Sequence, residues 1–125
     1  MRYHPFAPIL LALSLACTRP PATDPVPPLP PGTIRHHETT NPTLGGFEVG
    51  ISNIYERSLP GPHGEPVAMR PSASLSVYDP KTQKELGSRI VVVGEVVDLG
   101  EGKYQIMEIG IGKHSPGFVT FRKVP

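Results

Sequence analysis

The sequence predicts a small all-β domain, an antiparallel β-sandwich or partly open barrel of about six or seven strands, behind a disordered Pro-rich linker. Three observations predict it. Short runs of alternating apolar and polar residues recur from residue 47 onward, with turn residues between them. After the amino-terminal segment no ten-residue stretch carries the helical period, apart from room for one turn at 80–87. With 17 Pro and 13 Gly in 125 residues, the chain holds too many helix breakers for a helical bundle.

In chain order, residues 1–16 come first. Residues 1–6 (MRYHPF) contain Arg2 and no acid, and residues 7–16 (APILLALSLA) are an apolar run of ten. Ten is too short to span a bilayer, which takes about 20. A basic start, an apolar centre and a small residue before a boundary make a secretory signal peptide. The run closes on Leu13, Ser14, Leu15, Ala16 and Cys17, the only cysteine in the chain. This segment resembles the lipobox of bacterial lipoproteins, in which a small residue precedes a Cys that is acylated and becomes the first residue. Ser14 stands where that motif usually has Leu. The resemblance implies a palmitate-bearing membrane anchor at Cys17 and a place in the bacterial cell envelope. Thr18 is not the Asp that favours inner-membrane retention, which implies the outer membrane, facing the periplasm, in a Gram-negative source. The alternative is a plain signal peptide cut near Ala16, leaving a free thiol that is a liability in an oxidising compartment. Removal of residues 1–16 takes away Arg2 and leaves 11 basic against 11 acidic residues. A neutral chain has little electrostatic steering toward nucleic acid, and no such partner is expected.

Residues 17–46 read as the linker. Seven of the fifteen residues from 18 to 32 (TRPPATDPVPPLPPG) are Pro. Pro fixes φ and removes the backbone donor, so the segment favours polyproline II and reaches about 45 Å at roughly 3.1 Å per residue. Pro25 to Pro28 and Pro28 to Pro31 also match the P-x-x-P pattern read by SH3-like and WW-like grooves. Beside an acylated Cys, a spacer explains the segment. Residues 33–46 (TIRHHETTNPTLGG) are polar and are expected to continue it.

Residues 47–125 read as the β domain. Phe47, Val49 and Ile51 alternate with polar or small residues, as do Ala73, Leu75 and Val77. Residues 58–66 (SLPGPHGEP) form a loop. Asp79-Pro80-Lys81-Thr82 is a turn, because Pro presets φ at its second position and Asp caps the first. The β-branched runs 89–93 and 96–99 are split by Gly94, which marks a bend. Residues 99–103 (LGEGK) make a tight hairpin connection into a strand over 104–111, and a last strand spans 118–123. The expected core is Phe47, Val49, Ile51, Leu75, Val77, Ile90, Val92, Val97, Leu99, Tyr104, Ile106, Ile109, Val119 and Phe121. Residues 74–79 (SLSVYD) and 99–109 (LGEGKYQIMEI) resemble segments of carboxypeptidase regulatory-like, transthyretin-like sandwiches, which implies that architecture and transfers no site.

Chemistry-bearing patterns are sparse. His36, His37 and Glu38 are adjacent, but neighbours in an extended chain point to opposite sides and do not share one ion. His63 and His114 fall short of the three or four ligands a zinc site needs, so no metal or cofactor is expected. There is no G-x-S-x-G. A triad from Ser115, His114 and Asp98 fails because neighbours 114 and 115 are poorly placed to meet. Glu95 with Asp98, and Glu101 with Glu108, are possible carboxylate pairs on paper, but such acids are ordinarily the solvent-facing members of a strand. The glycine pairs precede no helix and so are not phosphate cradles.

Binding is the remaining class, with no small-molecule ligand expected. The longest internal connection, 57–72 (RSLPGPHGEPVAMRPS), carries His63, Met69 and Arg70. A second candidate is the turn with Lys113 and His114. The reading is a non-enzymatic envelope lipoprotein that presents a small β domain to an unidentified envelope protein in an accessory or assembly role. The alternative is an inhibitor or immunity-type lipoprotein that neutralises an envelope hydrolase.

Overall fold

Alternation of β-branched and aromatic residues with polar ones builds strands whose apolar faces must be covered, and here two sheets cover each other. The computed structural model describes residues 28–125, so Cys17 and the expected signal peptide lie outside the described residues. Eight strands follow in order: β1 (Thr33–His37), β2 (Thr43–Leu44), β3 (Phe47–Leu59), β4 (Ala68–Asp79), β5 (Lys84–Val92), β6 (Val96–Asp98), β7 (Lys103–Gly110) and β8 (Phe118–Val124). They form two antiparallel four-stranded sheets, ordered β1-β8-β7-β6 and β2-β3-β4-β5. The domain is all-β, as the sequence predicts, and no helix occurs among the described residues.

The core lies between the sheets. Val49, Ile51, Ala73, Leu75 and Val91 of the second sheet meet Val97, Tyr104, Ile106, Ile109, Val119 and Phe121 of the first. Leu44, Ile54 and Leu99 close its ends. The alternation of β3, β4, β7 and β8 was therefore legible. Ile90 was not: it pairs with Ser74, opposite the face of Ala73 and Leu75, and is 40% exposed, while its neighbour Val91 is fully buried. A run of four β-branched or aliphatic residues carries no internal alternation to tell the two faces apart. Phe47 and Val77 are only partly buried, at the rim of the core.

The expected linker is corrected over residues 33–46. Thr33–His37 is an edge strand paired along its whole length with β8, and Thr43–Leu44 opens the second sheet. His36 turns toward the core, its ring 6.3 Å from that of Phe121, while His37 turns out toward Phe118. Between the two strands the chain crosses from one sheet to the other. Thr39 N–H donates to Ile51 O at 2.7 Å, and Ile51 N–H donates to Thr40 O at 3.2 Å. Glu38 fastens this crossing. One of its carboxylate oxygens accepts from Gly117 N–H at 3.1 Å and the other from Ile54 N–H at 3.3 Å. Ile54 follows Asn53, which has φ 51°, and the β3–β4 register slips between Ser52 and Tyr55. Glu38 thus holds the bulge that bends β3.

Two short-range turns form as their sequences predict. Asp79 accepts from Lys81 N–H at 2.9 Å and from the Thr82 hydroxyl at 3.0 Å, closing the β4–β5 turn. Leu99 N–H donates to Gly102 O at 2.8 Å in the β6–β7 hairpin.

Replacing Glu38 with Ala strands two backbone amides, and should lower unfolding free energy by about 2 kcal/mol in urea denaturation. Burial first, and His37 second, holds the His36 imidazole below its ordinary value of 6.5. The unfolded chain then binds this proton more readily. The contribution of His36 is fully present above pH 6.5 and is lost as pH falls below it. Thermal melts should show a smaller drop between pH 7.5 and 5.5 for His36→Leu than for the wild type.

Candidate functional site

Beyond the bulge at Asn53 and Ile54, the outer half of the β3–β4 hairpin runs past the last β4–β5 pair, Ser72↔Val92, as an arm. It consists of residues 55–59, the connection 60–67 and residues 68–72, paired from Tyr55↔Ser72 to Leu59↔Ala68. The structure corrects the expected loop 57–72: only 60–67 is non-strand, and Met69 and Arg70 lie on β4. Pro60, Pro62 and Pro66 had weakened the strand signal on both flanks.

The tip is built from its own polar groups. Glu65 accepts from His63 N–H at 2.7 Å, and Gly61 N–H donates to Glu65 O at 3.1 Å. The backbone N–H groups of Glu65 and His63, in that order, hold the fully exposed Glu65 carboxyl below the usual carboxylate range. Nearby His63 and Arg70 add to this. The tip curls onto the β5–β6 turn. Gly94 has φ +100°, which favours glycine, and a Cβ there would crowd Pro62 Cγ at 3.0 Å beneath the tip.

Two arginines face each other across the arm at the Arg57↔Arg70 pair. Like charges directly opposite repel unless each is satisfied elsewhere. Arg57 lies over the Tyr55 ring, 3.8 Å from its centroid, and donates to the hydroxyl of fully buried Ser72. Ser72 passes the connection on by donating to Tyr55 O at 2.8 Å. Arg70 donates to Leu59 O at 3.1 Å and Pro66 O at 2.9 Å, tying the tip to the stem. Around this frame Tyr55, Val67 and Met69 are 51%, 63% and 62% exposed. Tyr, Met and Arg are the types enriched at protein interfaces, and here Tyr55, Arg57 and Arg70 are already held by stacking and hydrogen bonds.

Of the sequence candidates, His63, Met69 and Arg70 all lie on the arm, Arg70 on the face it shares with Arg57 and Met69 on the opposite face with Ser58. Lys113 and His114 lie on the β7–β8 connection, whose Gly117 packs beside Ile54 at the base of the arm. Tyr55, Arg57 and Val67 were missed as site residues. Their only sequence signal is proximity to the Pro-Gly cluster, because the bulge that projects them has no signature of its own.

Other chemistry finds no assembled centre. Among the described residues no three His, Cys, Asp or Glu side chains gather for a metal ion. Glu95, Glu101 and Glu108 each join a cation, at 3.2 Å to Arg89, 3.7 Å to Lys81 and 3.1 Å to Arg35 respectively. Asp98 and His114 stand beyond opposite ends of β7, so the triad drawn from Ser115, His114 and Asp98 is not formed. Two surface hollows, of about 210 and 230 Å³, lie elsewhere, one over Glu48, Ser76 and Tyr78, the other between Phe47, Val77 and Arg89. Comparisons with protein-family models, curated proteins and solved structures found no match.

Glu65 orders the tip above its ordinary value of 4.5, and that ordering is lost as pH falls through the depressed folded value. At neutral pH, Glu65→Ala should speed hydrogen exchange of the His63 amide while leaving the Ile106 amide unchanged.

Proposed function

We propose that the protein is a non-enzymatic, lipid-anchored protein of the bacterial envelope that uses the β3–β4 arm to engage another envelope protein. The observation that carries the interaction is the arm itself: Tyr55 exposed on the face of two arginines whose side chains are already held, with Val67 and Met69 exposed on the other face. Ordering Tyr55, Arg57 and Arg70 on binding costs little, because stacking and carbonyl bonds hold them beforehand. The anchor rests on the lipobox-like segment ending at Cys17, and the Pro-rich residues 18–32 supply the reach from a membrane surface. In this reading the lipid holds the chain at the envelope and the arm selects the partner.

A second reading draws on the stiffness of the tip. A protruding loop tied by Glu65 and Arg70 has the build of an inhibitory wedge, and the partner is then an envelope hydrolase whose activity falls on binding.

Two measurements test this function. Radiolabelled palmitate should enter the wild-type protein in its native cells and not Cys17→Ala; equal labelling of both overturns the anchor. A photo-crosslinking residue placed at Val67 should trap a discrete partner in those cells, whereas one at Thr82 should not. The double substitution Tyr55→Ala, Met69→Asp should reduce the adduct at least tenfold. Identical recovery of uncrosslinked chain from both positions overturns the arm as the docking element. A hydrolase in the adduct that regains activity on removal of the tip selects the inhibitor reading.

A further inference from the structure

Arg57 and Arg70 stand opposite each other across the arm, but their guanidiniums part along it. Arg57 turns toward the base, over the Tyr55 ring and onto the Ser72 hydroxyl. Arg70 turns toward the tip, onto Leu59 O and Pro66 O. The two charges are separated on one face, and neither is cancelled. Every acceptor they meet is an uncharged oxygen, and among the described residues neither forms an ion pair with a carboxylate. The arm's own acids are placed elsewhere. Glu56 pairs with Pro71 and so lies on the opposite face, and Glu65 accepts from His63 N–H at the tip. Arg57 spends one terminal nitrogen, and Arg70 spends Nε and one terminal nitrogen, so each keeps a terminal nitrogen with no partner among the described residues.

We propose that the partner engaged by the arm presents an acidic, extended segment to this face, with one carboxylate set against Arg57 and another against Arg70. This inference rests on the reading of the arm as the docking element and names the chemistry of what docks there. A guanidinium meets a carboxylate through parallel, charge-assisted hydrogen bonds, a fit that an ammonium does not reproduce. In an extended segment, side chains on one face recur about every 7 Å, so acids two or four residues apart stand about 7 or 13 Å apart. That range suits two guanidiniums turned toward opposite ends of one short hairpin. Exposed Tyr55, already stacked under Arg57, adds apolar contact beside the first pair.

An anionic membrane surface is the other source of negative charge, and the arm is poorly built for it. Glu65 is exposed at the tip, where it repels lipid phosphates. Arginines tied to a hydroxyl and to backbone carbonyls are held at fixed places, which suits a partner of fixed shape better than a layer of mobile headgroups.

The test places a photo-crosslinking residue at Ala68, which shares the arginine face, in the full chain in its native cells. It should trap the same partner as the residue at Val67, and mass spectrometry should find at least two Asp or Glu residues close together in the trapped segment. Arg57→Gln with Arg70→Gln should cut the Ala68 adduct at least tenfold, and Arg57→Lys with Arg70→Lys should restore part of it. Lys does not span Leu59 O and Pro66 O as Arg70 does, so recovery by Lys reads charge and not arm structure. An adduct at Val67 with none at Ala68, an Ala68 adduct indifferent to the Gln pair, or a trapped segment without acids overturns the acidic partner and leaves the arm as the docking element. No adduct from either position overturns both. Co-sedimentation of the Cys17→Ser chain with phosphatidylglycerol vesicles, lost in the Gln pair, assigns the face to lipid and also overturns the proposal.

Discussion

Two hydrogen bonds accepted by one carboxylate decide where this chain bends. Glu38 sits just after β1, yet its oxygens reach Gly117 N–H before β8 and Ile54 N–H in the bulge of β3. Its own N–H completes the set by donating to Gly117 O at 2.9 Å. Both sheets are represented in this one clamp. Without an acceptor at Ile54, the bulge amide faces the edge of the core with no partner, and a straight β3 competes. The arm exists because the bulge persists, so the surface proposed to bind a partner depends on a residue well away from it in sequence. Glu38 acts by positioning, through the backbone of β3.

A second polar cluster supports the outer face of the first sheet. Arg35 stacks on Phe118, 4.5 Å from the ring centroid, and pairs with Glu108, while Thr120, fully buried, donates to Glu108 at 3.3 Å. The cluster covers Phe118, which points away from the core yet is 8% exposed. A partly buried ion pair with these added hydrogen bonds keeps its partners satisfied; removing one partner leaves the other desolvated. β1 therefore contributes more than pairing to β8: it brings the guanidinium that closes this face. That explains why the largely polar segment Thr33–His37 behaves as an edge strand of the domain.

Much of the fold was legible because its signals are local. Asp79-Pro80 turns the chain through side-chain bonds within three residues, and alternation in β3, β4, β7 and β8 identified most of the core. The candidate site was legible only in part. The Pro-Gly cluster pointed to His63, and the neighbouring Met69 and Arg70 were named as loop residues although they are strand residues. Tyr55 falls just before the expected connection 57–72 and Arg57 is its first residue, and nothing local marks either as more than an ordinary surface position. Only the bulge makes that surface an arm.

The sequence by itself determined the strand-rich class, the turns and the alternating core, since each depends on residues within a few positions of one another. It also contains the lipobox-like segment, a linear pattern that needs no fold to be read. The tertiary structure decided the rest. It recruited residues 33–46 into the sandwich, buried Val91 in place of Ile90 and bent β3. These outcomes depend on partners such as Thr33 and Arg122, or Glu38 and Gly117, nearly eighty residues or more apart. Polar edge strands and bulges draw their stability from such distant partners, and a local pattern does not contain them.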